Sequence, residues 1–198
     1  MSQLNTPVPP FAAKAVRRGH IEGVTADTLH GHWSVLFFYP ADFSFICPIE
    51  LLDLHEQYVE LKRLGVEVYG VSTDSVYTHQ AWAESPLIGE IEFPLIADHA
   101  WALSRALDVL DEDHGTAQRA TFIVNPEGLI KVIEISDGPV ARRADELVRR
   151  IKAAQFVSGG IGRLANATWA REGEASGQGD AAEAIPAAPR GAGIPQPS

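Results

Sequence analysis

The 198 residues, 45% of them hydrophobic, are enough for one ordinary domain with a packed core and a short additional segment. A formal charge of −10 and a pI near 5.1 argue against nucleic-acid partners, because phosphates need clustered Lys and Arg, whereas Arg142, Arg143, Arg149, Arg150 and Lys152 sit among acids as on a solvated helix face. The single cysteine permits no intramolecular disulfide, the apolar runs span only a few residues, and the N-terminal segment has no apolar core of signal-peptide length, so the expectation is a soluble cytoplasmic protein without a membrane anchor.

The first strong element is "WSVLFFY", residues 33–39, a strand-like apolar run that stops at Pro40. From Ile49 onward Leu51, Leu54, Tyr58 and Leu61 recur at spacings of three and four, which places them on one helical face, and Gly65 ends that helix. "VEVYGVS", residues 66–72, is a second strand, so the segment is predicted to be a strand–helix–strand unit with parallel strands and a right-handed crossover. A short helix over 76–83, a strand within "IEFPLIAD" and a helix over 100–107 follow. "RATFIV" and "LIKVIEIS" are then joined across "NPEG", a turn-rich hairpin connection, and a last amphipathic helix covers 143–156. This order predicts an α/β fold, a mixed central sheet flanked by helices on both faces, with function gathered outside the carboxyl ends of the parallel strands. From Arg171 the chain has no aromatic residue and consists mostly of Ala, Gly and Pro; the expected division is a domain over 1–165 and a flexible extension over 166–198.

The only cysteine, Cys47, lies in "YPADFSFICPIE", directly before Pro48 and in the first turn of the predicted helix. Proline is well placed there because the missing N–H costs little, and the free backbone donors and dipole of a helix start favour a thiolate. That makes Cys47 a candidate nucleophile, although a lone cysteine is more commonly a small buried apolar residue. A disulfide reductase of the Cys-x-x-Cys type is disfavoured, because position 50 is Glu. Seven histidines are present, but "HGH" at His30 to His32 has no partnering ligand run, so neither a metal nor another cofactor is expected. Trp82 and Trp101 are expected in packing or interfaces.

The segment "YPADFSFICPIE" resembles the active-site stretch of the peroxiredoxins, Pro-x-x-x-Thr/Ser-x-x-Cys, with Pro40, Ser44 and Cys47 in those places. The likeness continues through "GVEVYGVSTDSVYTHQAWAES", "QRATFIVNPEG" and "IKAAQFVSG", and is closest to the alkyl hydroperoxide reductase C group of typical two-cysteine peroxiredoxins. It implies a thioredoxin-like fold and reduction of hydrogen peroxide or organic hydroperoxides. Position by position it makes Cys47 the peroxide-attacking residue, Ser44 the hydroxyl beside it, Pro40 the shielding proline and Arg119 the arginine next to the sulfur, with Glu50 and Arg142 in support. Taken alone, Arg119 would be a surface ion pair and Ser44 a cap or turn. The resemblance also implies homodimers through edge strands near "LIKVIEIS", and rings of dimers up to a decamer through "YTHQAWAE", with Thr78 and Trp82 nearest the contact.

Complete ionisation of a thiol with pKa about 8.5 gains only roughly 30-fold at neutral pH. Peroxide chemistry therefore also needs positioned donors, each contributing about 2.7–4 kcal/mol; Arg119, the Ser44 hydroxyl and the Cys47 N–H are expected to supply them. The departure from the family is at the C-terminal side. Typical members carry a second, resolving cysteine in Val-Cys-Pro-x-x-Trp, whereas "RLANATWAREGEAS", aligned on Trp169, has Ala165 at that cysteine and Asn166 at the proline. The expectation is a one-cysteine cycle in which an external thiol, small or carried by a thioredoxin-like protein, restores the sulfenic acid. A peroxide sensor or redox relay, and a ring-forming holdase with a decayed cycle, are the alternatives.

Overall fold

The computed structural model describes residues 3–89, 91–160 and 165. Its elements are β1 (Ala12–Arg17), β2 (His20–Thr25), a 3₁₀ turn (Ala26–Leu29), β3 (Trp33–Phe38), α1 (Cys47–Glu56), α2 (Tyr58–Arg63), β4 (Val66–Ser72), α3 (Val76–Ala83) and β5 (Leu95–Ala97), followed by α4 (Ala102–Ala106), β6 (Leu110–Asp111), β7 (Thr116–Ala117), β8 (Arg119–Val124), β9 (Ile130–Ser136) and α5 (Ala144–Ser158). Seven strands form one sheet in the order β2-β1-β5-β4-β3-β8-β9, and β6 and β7 make a separate ribbon. The centre, β3, β4 and β5, is parallel, while β1 joins β5, and β8 and β9 follow β3, in antiparallel fashion.

Alternation along β3 assigns each residue to a face. Val35 and Phe37 pack with Leu51 and Leu54 of α1, Leu61 of α2 and Leu147 and Ile151 of α5. Leu36 and Phe38 point the other way, into a second core with Leu29, Leu103 and Leu107. Two buried faces explain why β3 is apolar from Val35 to Phe38 and β4 is apolar at Val66, Val68, Tyr69 and Val71, and they bear out the mixed sheet with helices on both sides. Gly70 in β4 has no room for more: a Cβ there would lie 2.7 Å from Leu95 Cδ2.

Three local features differ from the sequence reading. The β1–β2 hairpin is absent from it, because "AAKAVR" is poor in β-branched residues; its turn is made by Arg18 and Gly19, with φ of 48° and 75°. The single helix expected from Ile49 begins at Cys47 and divides at Gln57 into α1 and α2. The helix expected from Ala100 begins at Ala102, because Trp101 adopts φ 62° and the carboxylate of Asp98 accepts the Leu103 and Ser104 N–H groups at 3.0 and 2.7 Å. The "NPEG" hairpin is present, with Gly128 at φ 77° and the Asn125 side chain accepting the Leu129 N–H at 2.8 Å.

At the outer sheet edge, residues 5–8 run antiparallel to 128–130: Asn5 N–H donates to the Ile130 carbonyl, Ile130 N–H to Thr6, and Val8 N–H to Gly128, at 2.8, 3.0 and 3.0 Å. Ala165 lines one surface cavity together with Val132 of β9 and Val157 of α5. The extension over 166–198 lies outside the described residues. No helix among them is long and apolar enough to cross a membrane.

Candidate active site

The chain leaves the carboxyl end of β3 through Tyr39 and Pro40, turns at Asp42 and Phe43, and enters α1 at Cys47. Cys47 is the first residue of α1 and Pro48 follows it, so the absent proline N–H falls where no intrahelical partner exists. The β3–β8 register sets Phe38 opposite Ala120, which places Arg119 beside the point where β3 ends. Strand pairing, and not the loop alone, therefore brings the arginine to the cysteine.

Cys47 is wholly buried. Arg119 Nη1 donates to its Sγ at 3.3 Å and to Glu50 Oε2 at 2.7 Å, while Arg119 Nε donates to the Gly138 carbonyl at 2.6 Å. Glu50, one helical turn beyond Cys47, is the hub. Besides Arg119 it accepts the Arg142 backbone N–H at 2.7 Å, Arg142 Nε at 3.0 Å and Nη2 at 3.1 Å. Arg142 is held in turn by the Ala120 carbonyl at 2.8 Å and the Thr121 hydroxyl at 3.0 Å, and its guanidinium lies 3.5 Å over the Phe37 ring.

Buried charges persist only when paired and fully hydrogen-bonded, and this cluster meets that condition. Burial alone would raise the Glu50 carboxyl, but the Arg142 hydrogen bonds and the charges of both arginines hold it below the usual carboxylate range. Burial draws Arg142 down from its ordinary value, with Glu50 opposing.

Cys47, Glu50, Arg119 and Arg142 are thus joined in one bonded cluster, whereas Pro40 and Ser44 lie in the loop leading to it. The Ser44 hydroxyl donates to the Ala41 carbonyl at 2.8 Å, and among the described residues it makes no bond to the Cys47 sulfur. Two of the simpler readings need correction. Arg142 is not on a solvated helix face but 8% exposed, just ahead of α5, and Arg119 is 4% exposed and no surface ion pair. The reason is Glu50, a carboxylate within the apolar side of α1 that needs both guanidiniums.

A second buried network is not announced by the sequence. Tyr39 donates to Asp42 Oδ1 at 2.8 Å, His79 Nδ1 lies 2.7 Å from Asp42 Oδ2, and His79 Nε2 lies 3.1 Å from the Ile96 carbonyl. Burial, followed by the neighbouring Asp42 charge, drives the Tyr39 hydroxyl well above its ordinary value, and burial likewise raises the Asp42 carboxyl. Its one sequence signal is a histidine between the apolar positions Val76 and Trp82 of a short helix.

A wholly buried sulfur at a helix start, bonded to a guanidinium, is arranged for nucleophilic attack. Comparison with known proteins gives that chemistry its setting. Residues 4–133 match the AhpC/TSA family model. Alkyl hydroperoxide reductase C of Bacillus subtilis (strain 168) is 49% identical over 175 residues, covering 88% of this chain and 94% of its own, and that of Escherichia coli (strain K12) is 46% identical over 177 residues, covering 89% and 94%. Among solved structures, Enterococcus faecalis AhpC has a TM-score of 0.79 at 48% identity over 80% of this chain and 96% of its own. The reduced 2-Cys peroxiredoxin of Plasmodium vivax has a TM-score of 0.81 at 30% identity over 85% and 90%. The sheet and its two helical layers are the thioredoxin-like fold those structures share. Identity of nearly half over 88% of the chain, on the same fold, leaves one conclusion: the chain belongs to the AhpC/TSA family of peroxiredoxins and is a thiol peroxidase of the oxidoreductase class.

Proposed function

We propose that this peroxidase works by a one-cysteine cycle on hydrogen peroxide or organic hydroperoxides. The observation that carries the reading is the Cys47 sulfur bonded to Arg119 at 3.3 Å in a chain with no other cysteine. The Cys47 thiolate attacks one peroxide oxygen, the O–O bond breaks, and the leaving alkoxide or hydroxide takes a proton to become alcohol or water. One external thiol then displaces water from the sulfenic acid, giving a mixed disulfide, and a second thiol releases Cys47, so two thiols become one disulfide for each peroxide reduced.

Arg119 uses Nε and Nη1 on protein acceptors, and among the described residues Nη2 has no hydrogen-bond partner, which leaves its donors for the peroxide. The Cys47 N–H is a second donor to the developing charge, and Ser44 becomes a third if its hydroxyl turns from Ala41. Pro40 stands at the rim, while Glu50 and Arg142 hold Arg119 in place. The reductant is a small thiol or a thioredoxin-like protein, in a reducing compartment such as the cytoplasm.

For assembly, we propose a homodimer through β9, an edge strand whose outer side is half-exposed beyond Ile130. A ring of dimers would use α3. Trp82 itself is fully buried against Tyr39 and Phe43, so Tyr77 and Phe43, 72% and 51% exposed, are the residues able to meet a neighbour there.

Stopped-flow oxidation of Cys47, followed by a screen of thiol donors, tests the reading. Steady turnover with a general thiol, abolished by Cys47→Ser with unchanged circular dichroism, is expected. One oxidation followed by capture of a single protein would make the chain a relay, and a folded protein inert to peroxide would make it a binding or holdase protein.

A further inference from the structure

The Asp42–His79 pair takes no part in the cluster around Glu50, yet it ties the loop that delivers Cys47, through Asp42, to α3, through His79. His79 has no exposed surface and both of its ring nitrogens face acceptors, the Ile96 carbonyl at 3.1 Å and the Asp42 carboxylate at 2.7 Å. The Ile96 carbonyl and the Asp42 carboxylate therefore hold the ring from its two opposite sides. Asp42 is fixed from other directions as well. Its Oδ1 accepts the Tyr39 hydroxyl, and its N–H donates to Asp74 Oδ2, which also accepts Ser72, at 2.8, 2.9 and 2.7 Å. The groups facing the pair are therefore Tyr39 at the end of β3, Ser72 and Asp74 after β4, and the Ile96 carbonyl of β5.

The residue after Asp42 shows why such an anchor matters. Phe43 has φ 54°, a left-handed conformation rare for a bulky residue. Strain of this kind persists only where the surroundings over-determine it, and it clusters at functional sites. Three restraints meet at Phe43: the Asp42 anchor before it, the Ser44–Ala41 hydrogen bond across it at 2.8 Å, and its ring against Trp82 with centroids 6.0 Å apart. Four residues later the chain reaches Cys47, whose Sγ must come within bonding distance of an arginine held independently by β8 and Glu50.

We infer that His79 is a positioning residue for the peroxide reaction: by clamping Asp42 it maintains the strained turn at Phe43, and with it the placement of Cys47 against Arg119. Without the clamp, Phe43 relaxes to negative φ, the direction of the loop changes, and Cys47 leaves Arg119 while gaining exposure. The inference rests on the thiol-peroxidase reading above.

Two substitutions separate the clamp from general stability. In His79→Asn the amide nitrogen falls near the place of Nδ1 and keeps a donor toward Asp42. In His79→Gln it falls near Nε2, keeping Ile96 and leaving Asp42 without its partner. Each gives up one buried hydrogen bond, so the melting temperatures of the two should fall similarly. Misplacement on the ångström scale costs about a hundredfold in rate, so His79→Gln should slow stopped-flow oxidation of Cys47 by about that factor, with His79→Asn within about threefold of wild type. Alkylation of Cys47 by iodoacetamide, followed by intact mass, should move oppositely, becoming about tenfold faster in His79→Gln as burial is lost.

Equal oxidation rates in the two variants, or alkylation and oxidation slowing together, would overturn the inference. If either His79 variant does not fold, Asp42→Ala, which removes the acceptor itself, replaces it, and an oxidation rate equal to wild type there is equally adverse. Alkylation needs no peroxide, so a wild-type protein inert to peroxide but showing the alkylation difference would count against the peroxidase reading and leave the clamp standing.

Discussion

Arg119→Lys keeps a positive charge beside Cys47 and removes the planar fork. In the structure Arg119 reaches three acceptors with two nitrogens: Gly138 at 2.6 Å through Nε, and Glu50 and the Cys47 sulfur at 2.7 and 3.3 Å through Nη1. A lysine ammonium bonded to Glu50 and Cys47 loses the Gly138 anchor and the separate Nη2 donors. A positioned donor to a developing negative charge is worth about 2.7–4 kcal/mol, and each 1.36 kcal/mol is tenfold, so loss of one predicts a fall of about 10²–10³ in the rate constant for Cys47 oxidation. Partial recovery through ammonium geometry sets a floor of about tenfold. Stopped-flow oxidation across pH, compared where each rate reaches its plateau, separates lost positioning from altered ionisation, and circular dichroism controls for folding. A plateau within twofold of wild type would refute the reasoning and leave Arg119 with a structural role only.

With excess peroxide and no thiol donor, the sulfenic acid has no second cysteine to meet, and Cys47 should gain two and then three oxygens in intact-mass spectra; a quantitative Cys47–Cys47 disulfide would contradict the one-cysteine cycle. Glu50→Gln leaves two buried guanidiniums without their anion and should cost about 3–5 kcal/mol in urea unfolding, so a loss below about 1 kcal/mol would count against Glu50 as the hub. The Glu50 carboxyl is held below its unfolded value of about 4.3, so its contribution is complete above that value and disappears as pH falls through the lower folded value; wild type should lose stability across that window more steeply than Glu50→Gln. Gly70→Ala puts a Cβ 2.7 Å from the buried Leu95 Cδ2 and should destabilise by about 1–3 kcal/mol through overpacking, and a raised urea midpoint would show that the core yields there.

The parts of this fold legible in the sequence are those built on local periodicity. Leu51 and Leu54 at helical spacing, the β-rich apolar runs of β3 and β4, and the turn chemistry of Asn125 to Gly128 each state their structure within a few residues. The placement of Cys47 at a helix start is legible for the same reason, through Pro48 and the end of β3 at Pro40. Long-range polar pairing is not. Glu50 meets Arg142 across 92 residues and Asp42 meets His79 across 37, and nothing near either partner in the chain announces the other. The family resemblance supplies Arg119 and Arg142 as candidates, but only the β3–β8 register and the burial of Glu50 give the physical reason that they converge. The β1 strand escapes a reading by propensity because its Ala-rich run takes its conformation from β2 and β5 and not from its own residues.

The segment at residues 5–8 has a consequence for how copies of this chain could meet. By occupying the outer hydrogen-bonding groups at Gly128 and Ile130, it closes the first part of the β9 edge and leaves the stretch from Lys131 to Ser136 open. A neighbouring strand sliding along β9 would collide with this segment, so the N-terminal residues act as a stop that limits the registers open to strand addition. Register is otherwise weakly specified along an exposed edge. Shortening the chain at its start would lengthen the free edge and remove the stop, and the expected result is a mixture of staggered assemblies in place of one.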